Sequence, residues 1–146
     1  MNLKDIMSRN VQVIAPDANL VEAAQCMKDL GVGGLPVCSD DRIQGFVTDR
    51  DIVVRAIADG KNPSECKVSD VMSTDVFWCY EDDSVEDAGR KMEENQIRRL
   101  LVLDSNKKLC GIVSLGDIAR AQHGGTFTGE VLERVSEPAQ PAQPTI

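Results

Sequence analysis

Two short stretches carry residue types suited to holding a small polar ligand. In Gly45-Phe46-Val47-Thr48-Asp49-Arg50-Asp51 and in Gly111-Ile112-Val113-Ser114-Leu115-Gly116-Asp117, a hydroxyl residue stands three positions before an aspartate. At the start of a helix, unpaired backbone N–H groups favour anions, and a hydroxyl there can donate to a phosphate oxygen. A carboxylate one turn further can accept from the paired hydroxyls of a ribose. A plain helix cap, with aspartate complementing the macrodipole, has the same spelling. One isolated Thr-x-x-Asp would be read as a cap. Its recurrence after Gly-apolar-apolar at two equivalent points shifts the balance toward a ligand.

That recurrence belongs to a longer one. Leu3–Val11 returns as Val68–Val76, 65 positions later, and the register holds through Ala23/Ala88, Met27/Met92, Leu35/Leu100 and Val37/Val102. One extra residue near Lys107–Lys108 moves the offset to 66 for Gly45/Gly111, Val47/Val113, Asp51/Asp117 and Ile52/Ile118. Repeats of this length are single structural units that bury an apolar face against a neighbour, so two copies predict a pseudo-two-fold pair with two related clefts.

Each copy reads as strand, helix, strand, strand, helix. Val11–Ile14 is a predicted strand. Asn19 caps a helix whose apolar face is Leu20, Ala23, Ala24, Met27 and Leu30, with Glu22 in capping-box spacing and Gly31 placed to end it. Leu35–Cys38 and Ile43–Thr48 are strands joined by the turn Ser39-Asp40-Asp41-Arg42, and a short helix follows over 51–58. The second copy predicts strands at Val76–Tyr80, Arg99–Leu103 and Leu109–Ser114. Its helices are one capped by Ser84 with Asp87 and one from Asp117. The resulting boundaries are 1–60 and 68–122, with linker 61–67 centred on Gly60–Ser64. Val131, Leu132 and Val135 mark one side of a short helix within 123–136, and the Pro-rich residues 137–146 are expected to be disordered.

Composition excludes several classes. The 146 residues suffice for a real core, and no apolar run approaches the roughly 20 residues that span a bilayer. No basic-then-apolar leader opens the chain. Five cysteines without Cys-x-x-Cys spacing read as reduced thiols in a cytoplasm, not as disulfides or a metal site. The single histidine, His123, lies outside both repeats, which argues against a histidine triad. A net charge of −8 argues against nucleic acid. The acidic groups Asp40-Asp41, Glu81-Asp82-Asp83 and Glu93-Glu94 read as solvated charge in turns and on a polar helix face. No catalytic motif stands in a chemically sensible context, so the chain reads as a binding protein and not an enzyme, with no obligatory cofactor and no metal.

The paired Gly-apolar-apolar-Thr/Ser-x-x-Asp motifs, the Asp-x-Met-Ser starts (Asp5–Ser8 and Asp70–Ser73), Leu35-Pro36-Val37 and Leu100-Leu101-Val102 together resemble cystathionine-β-synthase-type domains, the CBS domains. The resemblance covers roughly residues 1–122. It implies an α/β (α+β) fold of two β-α-β-β-α repeats packed as a pseudo-two-fold Bateman module, similar to small stand-alone bacterial CBS proteins. It also implies an adenosyl ligand (AMP, ADP, ATP, NAD or S-adenosylmethionine), a homodimer, and a regulatory role exerted through that dimer or a partner protein.

Carried over by position, Asp51 and Asp117 hold ribose, while Thr48 and Ser114 face ribose or phosphate. The adenine slot is Val13 with Leu35 in the first repeat and Trp78 with Leu100 in the second. Family members often have a small hydroxyl residue where Val13 and Trp78 stand. Trp78 can stack on a purine, or its indole can fill the cavity. The second repeat has Arg98-Arg99 where the first has Gly33-Gly34, and the first has Arg50 where the second has Gly116. The resemblance places ligand phosphates in a shared central cleft, where Arg50, Arg98 and Arg99 are expected to converge. Arginine suits phosphate because its planar fork engages two oxygens. Asp49 opposes a heavily phosphorylated ligand, which favours a mono- or diphosphate over ATP. The Asp51 cleft is expected to be the stronger site. Two competing readings are a ligand-free structural or protein-interaction module and a cysteine redox sensor.

Overall fold

The computed structural model describes residues 1–121 with Gly129, Val131, Arg134 and Val135. The expected helix over 123–136 is described only at those last four positions, and His123, Leu132 and the 137–146 tail lie outside the described residues. The chain forms two compact units that do not follow the repeat boundaries. The first-repeat unit comprises Asn10–Phe77 with Asn106–Leu109, and the second-repeat unit comprises Met1–Arg9, Trp78–Ser105 and the chain from Cys110 on.

In the first-repeat unit, α1 (Leu20–Leu30) begins where Asn19 accepts a hydrogen bond from the Glu22 N–H at 2.9 Å, and it ends at Gly31 with φ 66°. A residue without Cβ adopts that left-handed conformation at no steric cost. Strands β1 (Gly34–Ser39) and β2 (Arg42–Thr48) form an antiparallel hairpin. Its two central residues, Asp40 and Asp41, have φ 53° and 63°, as a tight type I′ turn demands. Helix α2 (Asp49–Ile52) starts two residues before the predicted helix and continues as a π-helical stretch over Val53–Ile57. A further short helix, α3 (Val68–Val71), was not predicted. Leu20, Ala23 and Met27 of α1 and Ile52 and Ala56 pack with Leu35, Val37, Val47, Val68 and Val71 as one core.

The predicted strand Val11–Ile14 shrinks to one parallel bridge between Ile14 and Val37. The reason is Pro36. Ile14 N donates to Pro36 O and Cys38 N donates to Ile14 O, but Pro36 has no N–H to offer the next carbonyl upstream, so the ladder stops. The second repeat has Leu101 at this place, and there the strand forms. In the second-repeat unit, β3 (Trp78–Tyr80) runs parallel to β4 (Arg99–Leu103), and β5 (Leu109–Ser114) completes the order β3-β4-β5. Helix α4 (Val85–Asn95) is capped by Ser84 and closes at Gln96, φ 52°, where the first repeat uses glycine. Helix α5 (Leu115–Ala121) follows β5. Val131 and Val135 are helical and buried in this unit's core beside Met92, Leu115 and Ile118.

The two glycine motifs and the two Met-Ser motifs prove to be complementary surfaces. Ser8 and Ile112 exchange both backbone hydrogen bonds (2.9 and 3.0 Å), as do Ser73 and Phe46 (2.9 Å each). A Cβ on Gly45 would stand 2.5 Å from Ser73 O, and one on Gly111 would run into Met7 and Ser8. Each repeat's opening segment therefore lies in the unit of the other repeat, against the glycine that makes room for it.

Candidate functional site

Both hydroxyl–aspartate pairs fold into the same reciprocal cap. In the first-repeat unit Asp51 N–H donates to Thr48 Oγ1 at 3.0 Å, and Thr48 N–H donates to Asp51 Oδ2 at 2.9 Å. In the second, Asp117 N–H donates to Ser114 Oγ at 3.1 Å, and Ser114 N–H donates to Asp117 Oδ2 at 2.8 Å. The cap reading is thus correct, and it leaves chemistry to spare. Each hydroxyl accepts one bond and keeps its proton to donate. Each carboxylate turns Oδ2 inward and presents Oδ1 to an arginine that the sequence reading missed. Arg55 Nε lies 3.8 Å from Asp51 Oδ1, and Arg120 Nη2 contacts Asp117 Oδ1. Those arginines stand four and three residues after their aspartates, so helical spacing alone would have found them. The aspartate side chains are largely sheltered, at 16% and 12% exposure, while Arg55 and Arg120 are open to solvent. A ligand hydroxyl can use the remaining lone pairs of either carboxylate or compete for Oδ1 with its arginine.

The strand-to-helix junction is pinned the same way in both units. Asp49 N–H donates to Gly33 O at 2.9 Å, and Leu115 N–H donates to Arg98 O at 2.8 Å. Arg50, Arg98 and Arg99 are exposed. The glycine pair opposite Arg98-Arg99 has a packing cause: a Cβ on Gly34 would stand 2.6 Å from the Phe46 ring, whereas the second repeat carries the smaller Ile112 there. Gly34 is room for Phe46, not slack for a ligand.

The four adenine-slot residues fall into two environments. Leu35 and Leu100 are core side chains at 1% exposure, while Val13 is 41% exposed. Trp78 is half-buried and pairs in register with Leu101, not Leu100. Its ring meets Tyr80 edge-on at 5.0 Å, and Lys91 Nζ sits 5.4 Å from the ring centroid while donating to Trp78 O at 2.5 Å. The indole is therefore set in a polar-aromatic cluster outside the core. A cleft of about 440 Å³ lies in the first-repeat unit between α1 and α2. It includes Gly33 and Asp49 but none of Val13, Leu35, Thr48 or Asp51.

All five thiols are free. Burial pushes the Cys38 and Cys79 thiols up to about 11. Cys110 rises to about 12 through burial and through its hydrogen bond to Glu81 Oε2 at 3.2 Å. A thiol held protonated at neutral pH is a poor nucleophile, which weighs against redox sensing at these three positions. Among the described residues no His, Cys, Asp and Glu side chains cluster as a metal site, and no helix is long and apolar enough to cross a membrane.

The CBS-domain family model matches the two repeats that carry these capped hydroxyl–aspartate motifs, at residues 3–57 and 68–124. The chain belongs to the CBS-domain family. It is 39% identical over 135 residues to the CBS domain-containing protein YhcV of Bacillus subtilis, covering 92% of this chain and 95% of that one. Among solved structures it is similar to CBSX2 in complex with AMP (TM-score 0.71, 28% identity, 84% of this chain and 96% of the other). It is equally similar to the CBS domain pair of MJ0100 in complex with 5′-methylthioadenosine and S-adenosyl-L-methionine (TM-score 0.71, 26% identity, 85% and 97%). Tandem CBS repeats of this kind are regulatory modules in general, and these two neighbours hold adenosyl compounds.

Proposed function

We propose that this chain is a non-catalytic sensor that binds an adenosyl ligand through Asp51 or Asp117 and signals as a homodimer or through a partner protein. The observation that carries the reading is the duplicated cap, in which two sheltered carboxylates and two hydroxyl protons are held at equivalent points. Asp51 acts with Thr48, Val13 and Leu35, and Asp117 with Ser114, Trp78 and Leu100; Arg50, Arg98 and Arg99 are the candidate phosphate contacts. Candidate ligands are AMP, ADP, ATP, NAD and S-adenosylmethionine. The exposed Asp49 beside Thr48 disfavours added phosphate charge, so AMP or ADP ranks above ATP. The Asp51 unit ranks first because Val13 is open where the other repeat carries Trp78. We place the protein in the cytoplasm, where free thiols persist, and take 1–60 and 68–122 as its functional repeats.

Calorimetric titration against adenosyl compounds tests this. Asp51→Ala or Asp117→Ala should weaken binding by about 1.5–3 kcal/mol, the worth of a charged hydrogen bond. Unchanged affinity in both variants and in the double variant would reduce the motif to a cap. No binding at about millimolar ligand, the weak end of specific recognition, would hand the protein to the interaction-module reading. Quenching of Trp78, the single tryptophan, that survives Asp51→Ala and vanishes in Asp117→Ala would reverse the ranking of the two units.

A further inference from the structure

The two carboxylates that the reading above assigns to a ribose are not equally available. Each takes a cap N–H on Oδ2, so Oδ1 carries most of the acceptor capacity left for a ligand hydroxyl. Asp117 Oδ1 already accepts a hydrogen bond from Arg120 Nη2. The guanidinium lies back across the turn that precedes it, since a Cβ on Gly116 would stand 3.5 Å from Arg120 Nη1. Asp51 Oδ1, by contrast, faces Arg55 Nε at 3.8 Å, too far for a hydrogen bond. Arg55 is held back by a second set of acceptors. Its Nη1 donates to Val71 O at 3.1 Å and reaches Met72 O at 3.4 Å, the carbonyls at the end of α3. A cation suits that place, where a helix runs out of intrahelical partners for its last carbonyls. The repeat register accounts for the contrast. Arg55 corresponds to Ala121 and Arg120 to Val54, so neither arginine has a counterpart in the other repeat.

We propose that Arg120 is a built-in competitor for the ligand at Asp117, and that the α3 carbonyls withhold Arg55 from the same role at Asp51. The inference rests on the adenosyl reading above and adds to it a mechanism that ranks the two sites. A ribose that donates both hydroxyls to Asp117 has to displace the guanidinium from Oδ1, whereas at Asp51 that oxygen is open from the start. The Arg120 side chain is 75% exposed, so it can swing into water and the mask is reversible. Asp51 therefore fills at lower ligand concentration and Asp117 at higher, which gives one chain two thresholds for the same diol-bearing ligand. An ion pair with one partner in solvent limits the separation from this source to about fivefold in affinity.

Calorimetric titration of the full chain with adenosine, which carries the ribose diol and no phosphate, isolates this contest from phosphate attraction. In an Asp51→Ala background, Arg120→Gln should tighten adenosine binding about two- to fivefold. Because adenosine is neutral, raising the salt should tighten binding where Arg120 is present and leave the Gln variant unchanged. A two-site titration with Asp51 intact gives the same comparison should Asp51→Ala unfold. In an Asp117→Ala background, Arg55→Gln should lower the thermal transition, because α3 loses its partner, and change adenosine affinity by less than about twofold. Unchanged or weaker adenosine binding in Arg120→Gln would overturn the mask, while binding at Asp51 would leave the adenosyl reading standing. Equal tightening by Arg55→Gln would overturn the contrast between the two arginines. No adenosine binding by the wild-type chain or by either arginine variant would overturn both the mask and the adenosyl reading.

Discussion

The two repeats began as the same instructions and have been finished differently. At the first strand, Pro36 ends a ladder that Leu101 allows to form. At the strand-to-helix corner, Gly34 makes room for the Phe46 ring, while the second repeat carries Arg99 and the smaller Ile112 at these positions. At the helix face, Asp49 borders an open cleft where Leu115 is buried under the cover that Val131 and Val135 complete. The capped hydroxyl–aspartate pair is common to both, as are the pinned junction before it and the Met-Ser contacts with the glycine motifs. Elements that position the candidate ligand site are held constant, and elements that meet the outside of each unit diverge. A duplicated domain can therefore keep two equivalent hydroxyl–aspartate motifs while giving one copy a closed helical face and the other an open one.

The cover is the sharpest difference, and breaking it should have the largest effect. Val131→Asp places a carboxylate at a position with 0% exposure and should cost about 3 kcal/mol in chemical denaturation, the penalty of an uncompensated buried polar group. Val53→Asp, on the uncovered face, should leave monomer stability within about 0.5 kcal/mol, as exposed substitutions do. Equal losses would erase the distinction between the faces.

The glycines come next. Gly45→Ala drives a methyl against a backbone oxygen at 2.5 Å, which cannot move without shifting α3, and should cost about 2–3 kcal/mol. Gly111→Ala first meets the flexible end of Met7 and then Ser8 O at 3.0 Å, so about 1 kcal/mol is expected. The ranking, read from denaturant midpoints, tests whether backbone contact or side-chain contact sets each limit.

The caps should show no such asymmetry. Thr48→Ala and Ser114→Ala each remove one reciprocal cap and should each cost about 1 kcal/mol. A large inequality would mean that one cap does more than start its helix.

The smallest effect near neutral pH concerns the thiols. Cys38, Cys79 and Cys110 have folded-state values raised above the ordinary 9.0. The unfolded chain therefore loses these protons first as pH rises, so their contribution to stability is intact below pH 9 and is lost between about 9 and 12. Cys110→Ala should flatten part of that alkaline decline, measured as unfolding free energy against pH, and leave the curve below pH 8 unchanged.

The local content of the fold was legible in the sequence because its causes are local. Asn19, Gly31, Ser84 and the Asp40-Asp41 turn act on their own neighbours, and each structure formed where those residues stand. The duplicated motif was legible for the same reason, since a cap needs only three intervening bonds. The strand over 11–14 failed because its partner, Pro36, lies more than twenty residues away and decides by the N–H it lacks. Helix α3 was missed because four residues carry too little periodicity to register. Arg55 and Arg120 are legible only once the helix is known to start at Asp49 and Leu115, because i+4 and i+3 spacing brings them to the carboxylates.

The sequence by itself determined the duplication, the element order, the caps and the membership of the CBS family, all written in spacing and residue type. Only tertiary structure decided which segment joins which unit, since Met7-Ser8 finds Gly111 and Met72-Ser73 finds Gly45 through steric fit between residues far apart in the chain. It alone also decided that Val131 and Val135 close one helical face. Burial is a property of neighbours in space, and the same valine spelling is core in one unit and open surface in the other.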